Sequence, residues 1–155
     1  MSILQLRVSQ DWIDYNDHMG DFAYSIVCSK GLINFLSEVG FGIEYRKQTG
    51  TTFYAVDKRI RFRRECRLYD SLAVETRLTG LDERRIATVQ IIRDEQGEEV
   101  AYCGFVLVFV RQTNDGPKVL EIPGAMHAKL RGLFVPDFRP DCQEMMIKAM
   151  AIKFP

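Results

Sequence analysis

The sequence predicts an α+β fold in which an antiparallel sheet wraps around one long buried helix. The helix is indicated by apolar residues between Phe22 and Val39 that cover most of a helical wheel and leave only a narrow polar stripe. Four successive strand patterns follow this helix, and residues that favour turns separate them. Because a helix that is apolar on most sides needs cover, the sheet must curve around it.

The remaining elements follow from local patterns. A short strand at 3–8 and a loop at 11–20, rich in Asp, Asn and Gly, precede the helix. Gly40 follows the last periodic residue and is expected to end the helix. A loop is expected at 45–51, and short helices at 124–132 and 141–152. The four strands are predicted at 53–63, 71–80, 85–93 and 99–112, the last with an apolar centre typical of a strand covered on both faces.

Length and composition indicate one globular domain over residues 1–155, with a core at about 3–133 and a C-terminal extension at 134–155. Lys plus Arg and Asp plus Glu number 21 each, so no net charge draws the chain to nucleic acid or to an anionic membrane. The apolar run 100–110 is too short to span a bilayer, and the N-terminus has no signal-peptide pattern. A cytoplasmic protein with neither nucleic acid nor membrane as a partner is therefore expected.

The cysteines indicate neither a zinc site nor a redox dithiol, because they lie far apart in the sequence. They are Cys28, Cys66, Cys103 and Cys142. An even count permits two disulfides, but buried reduced thiols are the preferred interpretation in a chain with no export signal.

The junction between the loop and the helix can supply chemistry. The first backbone N–H groups of a helix lack internal partners and carry partial positive charge, so they can hold a carbonyl oxygen as it becomes an oxyanion. Asp14 lies a few residues upstream and is the natural carboxylate to act on the carbonyl carbon or on a water beside it. The alternative is that Asp14 and Asp17 only form turns or cap the helix, which is the commoner role of Asp at such positions.

Residues 12–19, Trp-Ile-Asp-Tyr-Asn-Asp-His-Met, followed by Tyr24, resemble the first motif of hotdog thioesterases of the 4-hydroxybenzoyl-CoA thioesterase type. In that motif an Asp precedes a Gly-His pair, and a Tyr follows on the helix. The strand order agrees from about Leu4 to Leu133. Asp17 departs from the pattern, since the family usually has Gly there, and Gly20-Asp21 stands where many members have a pair of Asn or similar residues.

The resemblance implies roles for individual residues. Asp14 takes the place of the catalytic carboxylate, and His18, Met19 and Gly20 supply the backbone donors that polarise the thioester. The His18 side chain is a further catalytic candidate, although a lone loop histidine is more often a hydrogen-bonded scaffold residue. The substrate-binding candidates are Trp12, Tyr15, Asn16, Tyr24, Phe53 and Tyr54.

Residues 12–19 look most similar to a subgroup that includes the betainyl-CoA thioesterases of carnitine breakdown. Residues 53–60, Phe-Tyr-Ala-Val-Asp-Lys-Arg-Ile, also resemble that subgroup's aromatic-rich strand, in which a Glu commonly stands at the Asp57 position. Asp57 is then a second catalytic candidate. Carboxylates and aromatic faces suit a trimethylammonium acyl group, and Trp12, Tyr15, Phe53 and Tyr54 offer such faces. Packing in the core is the alternative role of each aromatic residue.

The densest basic stretch of the sequence lies on the same predicted strand. Strand alternation puts Arg59, Arg61 and Arg63 on one face with Asp57. The opposite face is predicted to carry Tyr54, Val56, Ile60 and Phe62. Guanidinium groups suit phosphate oxygens, so this stripe is a candidate site for the phosphates of CoA. A solvated face paired with nearby acids is an equally good interpretation.

These observations predict an acyl-CoA thioesterase that acts on a short acyl group, with betainyl-CoA as a candidate substrate. No metal or cofactor is expected, since CoA is part of the substrate. The resemblance also implies a homodimer or homotetramer with the active site between subunits. A hydratase or dehydratase on the same fold, or a non-catalytic acyl-CoA-binding module, remains an alternative. The sequence leaves open whether Asp14 acts as nucleophile or as general base.

Overall fold

The computed structural model describes residues 1–135 of the chain and confirms the predicted α+β class. The strands are β1 (Ser2–Arg7), β2 (Thr51–Phe62), β3 (Ser71–Leu81), β4 (Arg85–Arg93), β5 (Glu99–Thr113) and β6 (Gly116–Val119). The helices are α1 (Asp21–Glu38), α2 (Ile43–Thr49) and α3 (Gly124–Arg131), with a short 3-10 turn at Gln10–Trp12. The helix predicted at 141–152 and Cys142 lie outside the described residues.

The strands form one antiparallel sheet in the order β1-β3-β4-β5-β2, and β6 pairs with the end of β5. Helix α1 packs against one face of this sheet, which is the hotdog arrangement that the sequence motif implies. Gly31 allows the close approach of α1 to β3, since a Cβ atom at this position would lie 2.5 Å from Cγ1 of Val74. The predicted central strand is confirmed, because β5 lies between β4 and β2 and residues 100–107 are buried.

Helix α1 ends as predicted. Its last turn is followed by Gly40 at φ 96°, a left-handed conformation that favours glycine. Cys28 and Cys66 are buried free thiols, which agrees with the sequence prediction, and Cys103 is also buried. Within residues 1–135, no single helix is long and apolar enough to cross a membrane. The consecutive pair α1 and α2, bent by 63°, passes that test only when taken together.

Helix α2 occupies residues for which a loop was predicted, so that prediction is wrong. Four of its seven residues, at 44 and 46–48, are good helix formers, and the charges suit the helix dipole, with Glu44 in the first turn and Lys47 in the last. The Lys47 ammonium lies 2.8 Å from the Glu44 carboxylate. The helix ends at Gly50, whose φ of 67° is left-handed. Phe41, in the preceding turn, packs edge-on against Tyr45 with ring centroids 5.1 Å apart, so tertiary packing also supports this short helix.

A β-bulge at Val56 changes which residues of β2 face α1. Ala55 pairs with Leu107 and Asp57 with the next residue, Val106, so Val56 has no partner in the ladder. Directly opposed residues share a face of a sheet, and Tyr54 pairs with Val108, which alternates with the buried inner positions of β5. Tyr54 therefore lies on the outer face, away from α1, together with Asp57. The predicted placement of these two residues on opposite faces is wrong, because strict alternation does not anticipate a bulge.

Candidate active site

The predicted catalytic loop is a tight turn that fixes the Asp14 carboxylate. The Asp14 N–H donates to the carbonyl of His18 at 2.8 Å, and the Asp17 N–H donates to the carbonyl of Asp14 at 3.2 Å. One carboxylate oxygen of Asp14 accepts the Asn16 N–H at 2.8 Å. Asp14 thus forms the local turn that the alternative interpretation expected. The same bond also holds the carboxylate in one orientation, as a reacting group requires.

Asp17 explains how the loop tolerates its departure from the family pattern. Its φ is 61°, in the left-handed region, which glycine adopts without strain and which Asp and Asn tolerate better than most residues. The substitution of Asp for the usual Gly therefore keeps the turn that positions Asp14.

The Asp14 side chain lies against the start of α1. Gly20 precedes the first helical residue, and a Cβ atom placed on it would lie 3.4 Å from the Cβ of Asp14. The same atom would lie 2.5 Å from Cε1 of Phe22, so glycine gives the space in which loop and helix meet. The sequence prediction brought Asp14 and the helix start together, and the structure has them adjacent.

The predicted backbone donors need correction. The Met19 N–H donates to the carbonyl of Cys66 at 2.8 Å, and the Gly20 N–H donates to the carbonyl of Trp12 at 2.9 Å. Neither group is therefore available to a substrate oxygen. Within residues 1–135, the N–H groups of His18 and Asp21 have no acceptor. Asp21 is the first residue of α1, so its N–H is the donor that best combines availability with the positive end of the helix dipole.

The imidazole of His18 contacts an acid other than Asp14. Its Nε2 lies 3.2 Å from the Glu65 carboxylate, and the two side chains are 30% and 57% exposed. This contact joins the loop to the segment that follows β2. The catalytic role of His18 stays a prediction, since its partner is on the rim of the site.

Tyr24 connects α1 to the same segment. The buried ring donates its hydroxyl hydrogen to the carbonyl of Arg64 at 3.1 Å and packs edge-on against Phe62 with centroids 5.2 Å apart. Burial, reinforced by hydrogen bonding to Cys66, raises the pKa of the Tyr24 phenol far above its ordinary value. Burial likewise raises the pKa of the Cys66 thiol. Tyr24 is thus a neutral structural contact beneath a cleft of about 370 Å³, which is lined by Met19, Asp21, Tyr24 and residues 62–65.

Asp57 does not lie with Asp14. It is on the outer face of the sheet, 3.7 Å from the guanidinium of Arg59, whereas α1 packs on the inner face. Within the described chain the sheet therefore separates the two carboxylates. The role of Asp57 as a second catalytic carboxylate stays a prediction.

The four predicted aromatic faces do not form one cage in the described chain. Trp12 is buried in the core and Tyr15 is 93% exposed. Phe53 is buried between Phe41 and Phe109, with ring centroids 4.9 Å and 5.2 Å away. The hydroxyl of Tyr54 donates to Gln112 on the outer face at 2.7 Å. Trp12 and Phe53 thus pack in the core, and Phe53 also lines a cavity between α1, α2 and β2.

The three arginines predicted to bind the CoA phosphates lie in two different places. Arg59 and Arg61 are on the outer face of β2, opposite Gly104 and Tyr102, as strand alternation predicted. Arg63 lies over the Tyr102 ring, with its guanidinium carbon 5.3 Å from the centroid.

A cleft of about 480 Å³ beside Arg63 is also lined by Arg64, Arg93 and residues 97–99. Arg64 lies 3.5 Å from Glu98 and Arg93 lies 3.4 Å from Glu99. Sequence reasoning missed Arg93, which the hairpin at 94–97 brings to this cleft.

Lys58 is a second residue that the sequence prediction did not assign. It faces α1, where its ammonium donates to the carbonyl of Ser25 at 2.8 Å, to the Ser25 hydroxyl, and to the Ser29 hydroxyl at 3.3 Å. The ammonium also lies 4.9 Å from the centroid of the Phe105 ring. The signal was present in the sequence, because alternation puts Lys58 on the same face as Ile60 and Phe62.

Two cavities follow α1 away from Asp14. A surface groove of about 470 Å³ is lined by Phe22, Ser25, Ile26, Ser29, Lys30 and Ile33. A larger and mostly apolar cavity of about 580 Å³ lies between the second half of α1, α2 and β2. Ser29 and Ile33 line both cavities. Within residues 1–135, no group of three or more His, Cys, Asp or Glu side chains is arranged to hold a metal ion.

The fold and the loop at the helix start are those of one family. A family model described as the thioesterase-like superfamily matches residues 8–130, and the chain belongs to this superfamily. The chain is 34% identical over 124 residues to an Agrobacterium fabrum protein named L-carnitine dehydrogenase/betainyl-CoA thioesterase. The match covers 80% of this chain but only 25% of that protein, so the chain spans about a quarter of its length.

A shorter relative and a solved structure extend this result. The Pseudomonas aeruginosa betainyl-CoA thioesterase is 24% identical over 134 residues, covering 86% of this chain and 83% of that protein. A Staphylococcus aureus protein solved in complex with CoA superposes with a TM-score of 0.78 at 18% identity, over 90% of this chain and 89% of that one. At this identity the superposition establishes the fold alone.

Proposed function

We propose that the chain is an acyl-CoA thioesterase that hydrolyses a short acyl-CoA thioester to the free acid and CoA. One observation carries this proposal, namely an oriented Asp14 carboxylate against the start of a buried helix whose first N–H has no acceptor in the described chain. A carboxylate beside such a donor suits attack on a carbonyl and stabilisation of the oxyanion that forms. Membership of the thioesterase-like superfamily and the names of the relatives support the same reaction.

In the proposed reaction the thioester carbonyl oxygen accepts the Asp21 N–H. Asp14 either removes a proton from a water that adds to the carbonyl carbon, or adds to that carbon itself and is released by water in a second step. Collapse of the tetrahedral intermediate breaks the carbon–sulfur bond, and CoA leaves as its thiolate. Only groups of the protein and water take part in this scheme, so neither a metal nor a cofactor is required.

The arginine-lined cleft is the proposed site for the phosphates of CoA. Arg63 and Arg64 line both this cleft and the cleft at the start of α1, so the two are neighbours. Guanidinium groups bind phosphate oxygens in bidentate fashion, and phosphate would compete with the carboxylates that now pair with Arg64 and Arg93. The nucleotide end of the substrate would then lie here, with the pantetheine arm leading to Asp14.

We propose a homodimer, or a homotetramer built from it, with the active site near the subunit boundary. Strand β2 is an edge of the sheet and exposes Val56 and Phe62. The accessible side of α1 exposes Phe22, Ile26 and Ile33. An unpaired edge beside apolar side chains favours association. Size-exclusion chromatography with light scattering should give at least a dimer at micromolar concentration, and a monomer would refute this arrangement.

Betainyl-CoA is the first acyl-CoA to test, because both relatives are named for it. We also propose a cytoplasmic location, since buried free thiols at Cys28 and Cys66 are typical of a reducing compartment.

The deciding experiment is a thiol-release assay over charged, neutral and aromatic acyl-CoA substrates. A thioesterase releases free CoA. A non-catalytic binding module would bind the same compounds without releasing thiol. A hydratase would instead add water to an enoyl-CoA and leave the thioester intact.

A further inference from the structure

The surface groove begins near Asp14 and adjoins the larger cavity along α1. The surface groove starts at Phe22, whose ring lies against Gly20, and Gly20 in turn adjoins Asp14. The groove joins the larger cavity at Ser29 and Ile33, which line both. An acyl group whose carbonyl lies at the start of α1 can therefore extend along this helix into the interior.

The charged residues on this route all carry the same sign. Lys30 lines the groove and Arg46 lines the larger cavity. Lys58 binds Ser25 and Ser29, which are part of the groove wall. Within residues 1–135, neither cavity is lined by Asp or Glu. On the walls that this chain supplies, a cationic acyl group would meet no opposite charge, whereas an anionic one would meet three cationic side chains.

The ammonium of Lys58 is held in place by hydrogen bonds. Its hydrogen bonds go to neutral oxygen atoms of Ser25 and Ser29, and it is half-buried above the Phe105 ring. In the described chain no carboxylate lies within ion-pair distance of it. A half-buried charge without a counter-ion is costly, and an anion bound beside it recovers part of that cost.

The distance from the reacting carbonyl to Lys58 sets the chain length. From Asp21 to Ser25 the helix rises by about 6 Å, a span that an acyl chain of about five carbon atoms covers. The end of such a chain reaches the ammonium of Lys58, while its methylene groups pass the apolar side chains of Phe22 and Ile26.

We propose that Lys58 selects the acyl group, so that the groove takes a short acyl chain that ends in a carboxylate and disfavours a trimethylammonium group. This inference rests on the proposed thioesterase activity and names its substrate class. A charge-assisted contact of the Lys58 ammonium with the terminal carboxylate supplies the selectivity.

The test uses glutaryl-CoA and valeryl-CoA, which have the same number of acyl carbons and differ in the terminal carboxylate, together with betainyl-CoA. For the wild-type chain we expect kcat/KM for glutaryl-CoA to exceed that for valeryl-CoA by roughly tenfold, the effect of one partly buried charge pair. Lys58→Met should bring this ratio close to one and raise the relative rate with betainyl-CoA. Lys118→Met, on the exposed strand β6, is the matched control and should leave the ratio unchanged.

Lys58 also connects β2 to α1, so a second variant separates charge from structure. Lys58→Gln loses the charge but keeps an N–H donor, on a side chain one bond shorter, and it should lower the ratio as Lys58→Met does while melting near the wild-type temperature. Equal wild-type rates with glutaryl-CoA and valeryl-CoA, or faster turnover of betainyl-CoA than of glutaryl-CoA, would overturn the inference alone. Absence of thiol release from all three substrates would overturn this inference, and absence of thiol release from the aromatic acyl-CoA substrates as well would overturn the thioesterase proposal.

Discussion

Replacing Asp14 by Asn tests the proposed chemistry with little change in shape. The side-chain oxygen of Asn can still accept the Asn16 N–H, which now bonds to Asp14 at 2.8 Å, and its Cβ keeps its place beside Gly20. The turn therefore has its local hydrogen bonds in the variant. We expect the free energy of unfolding to change by less than about 1 kcal/mol, as is usual for a partly exposed position that keeps its partner.

The rate should change far more than the stability. An amide can neither accept a proton from water nor attack a carbonyl as a carboxylate does, and general base catalysis alone contributes about 10²–10⁴-fold. We expect kcat to fall by roughly 10³-fold, about 4 kcal/mol in the barrier. The measurement is thiol release from valeryl-CoA, beside denaturant unfolding of the same preparation.

Asp17→Asn is the matched control for this variant. Asn tolerates the left-handed φ of 61° at this position. It should retain activity within about twofold, because surface substitutions that preserve the backbone have small effects. If Asp14→Asn keeps more than about a tenth of the wild-type kcat while folded, its carboxylate is neither base nor nucleophile, since either role is worth at least 10²-fold.

Two further predictions concern stability. Gly31→Ala puts a Cβ 2.5 Å from Cγ1 of buried Val74, and this overpacking should outweigh the gain of about 1 kcal/mol in helix propensity, for a net loss of roughly 1–2 kcal/mol. Val74→Ala should then cost less in the Gly31→Ala background than alone, and additive losses in urea unfolding would refute the steric explanation. Because burial raises the pKa of the Cys66 thiol and the Tyr24 phenol in the folded state, the unfolded chain loses these protons first as pH rises. The free energy of unfolding should therefore decline above about pH 9, because the ordinary pKa of the thiol is 9.0. Tyr24→Phe should flatten the part of the decline above pH 10. A wild-type free energy of unfolding that does not change with pH in this range would contradict the prediction.

Much of the fold was predictable because its determinants are local. The apolar periodicity of α1 and the turn residues between strands identify those elements without knowledge of their partners. Helix α2 was missed because seven residues are too few to show a helical period of apolar side chains. Its packing depends on the contact of Tyr45 with Phe41, which joins residues on both sides of a turn. The bulge at Val56 was missed because only the pairing of β2 with β5 defines it.

The candidate site was also predictable only in its local features. Proximity of Asp14 to the start of α1 was predictable, since only a few residues separate them. The occupied N–H groups were not predictable. The Met19 N–H donates to the carbonyl of Cys66, which comes after both α1 and β2 in the sequence. The arginine cleft needs the segment after β2 to lie beside β5, where the Arg63 and Arg64 N–H groups donate to the Val100 carbonyl, and no spacing in the sequence reveals this pairing.

The unpaired residue in β2 has a consequence for how this scaffold changes specificity. With regular pairing of the same sequence, Asp57 would face α1 and Lys58 would point away, since a shift of one position exchanges the two sides of a strand. The acyl route would then be lined by an acid where it now has an ammonium group. Moving the irregularity past Lys58 would thus invert the electrostatic preference without replacing either side chain.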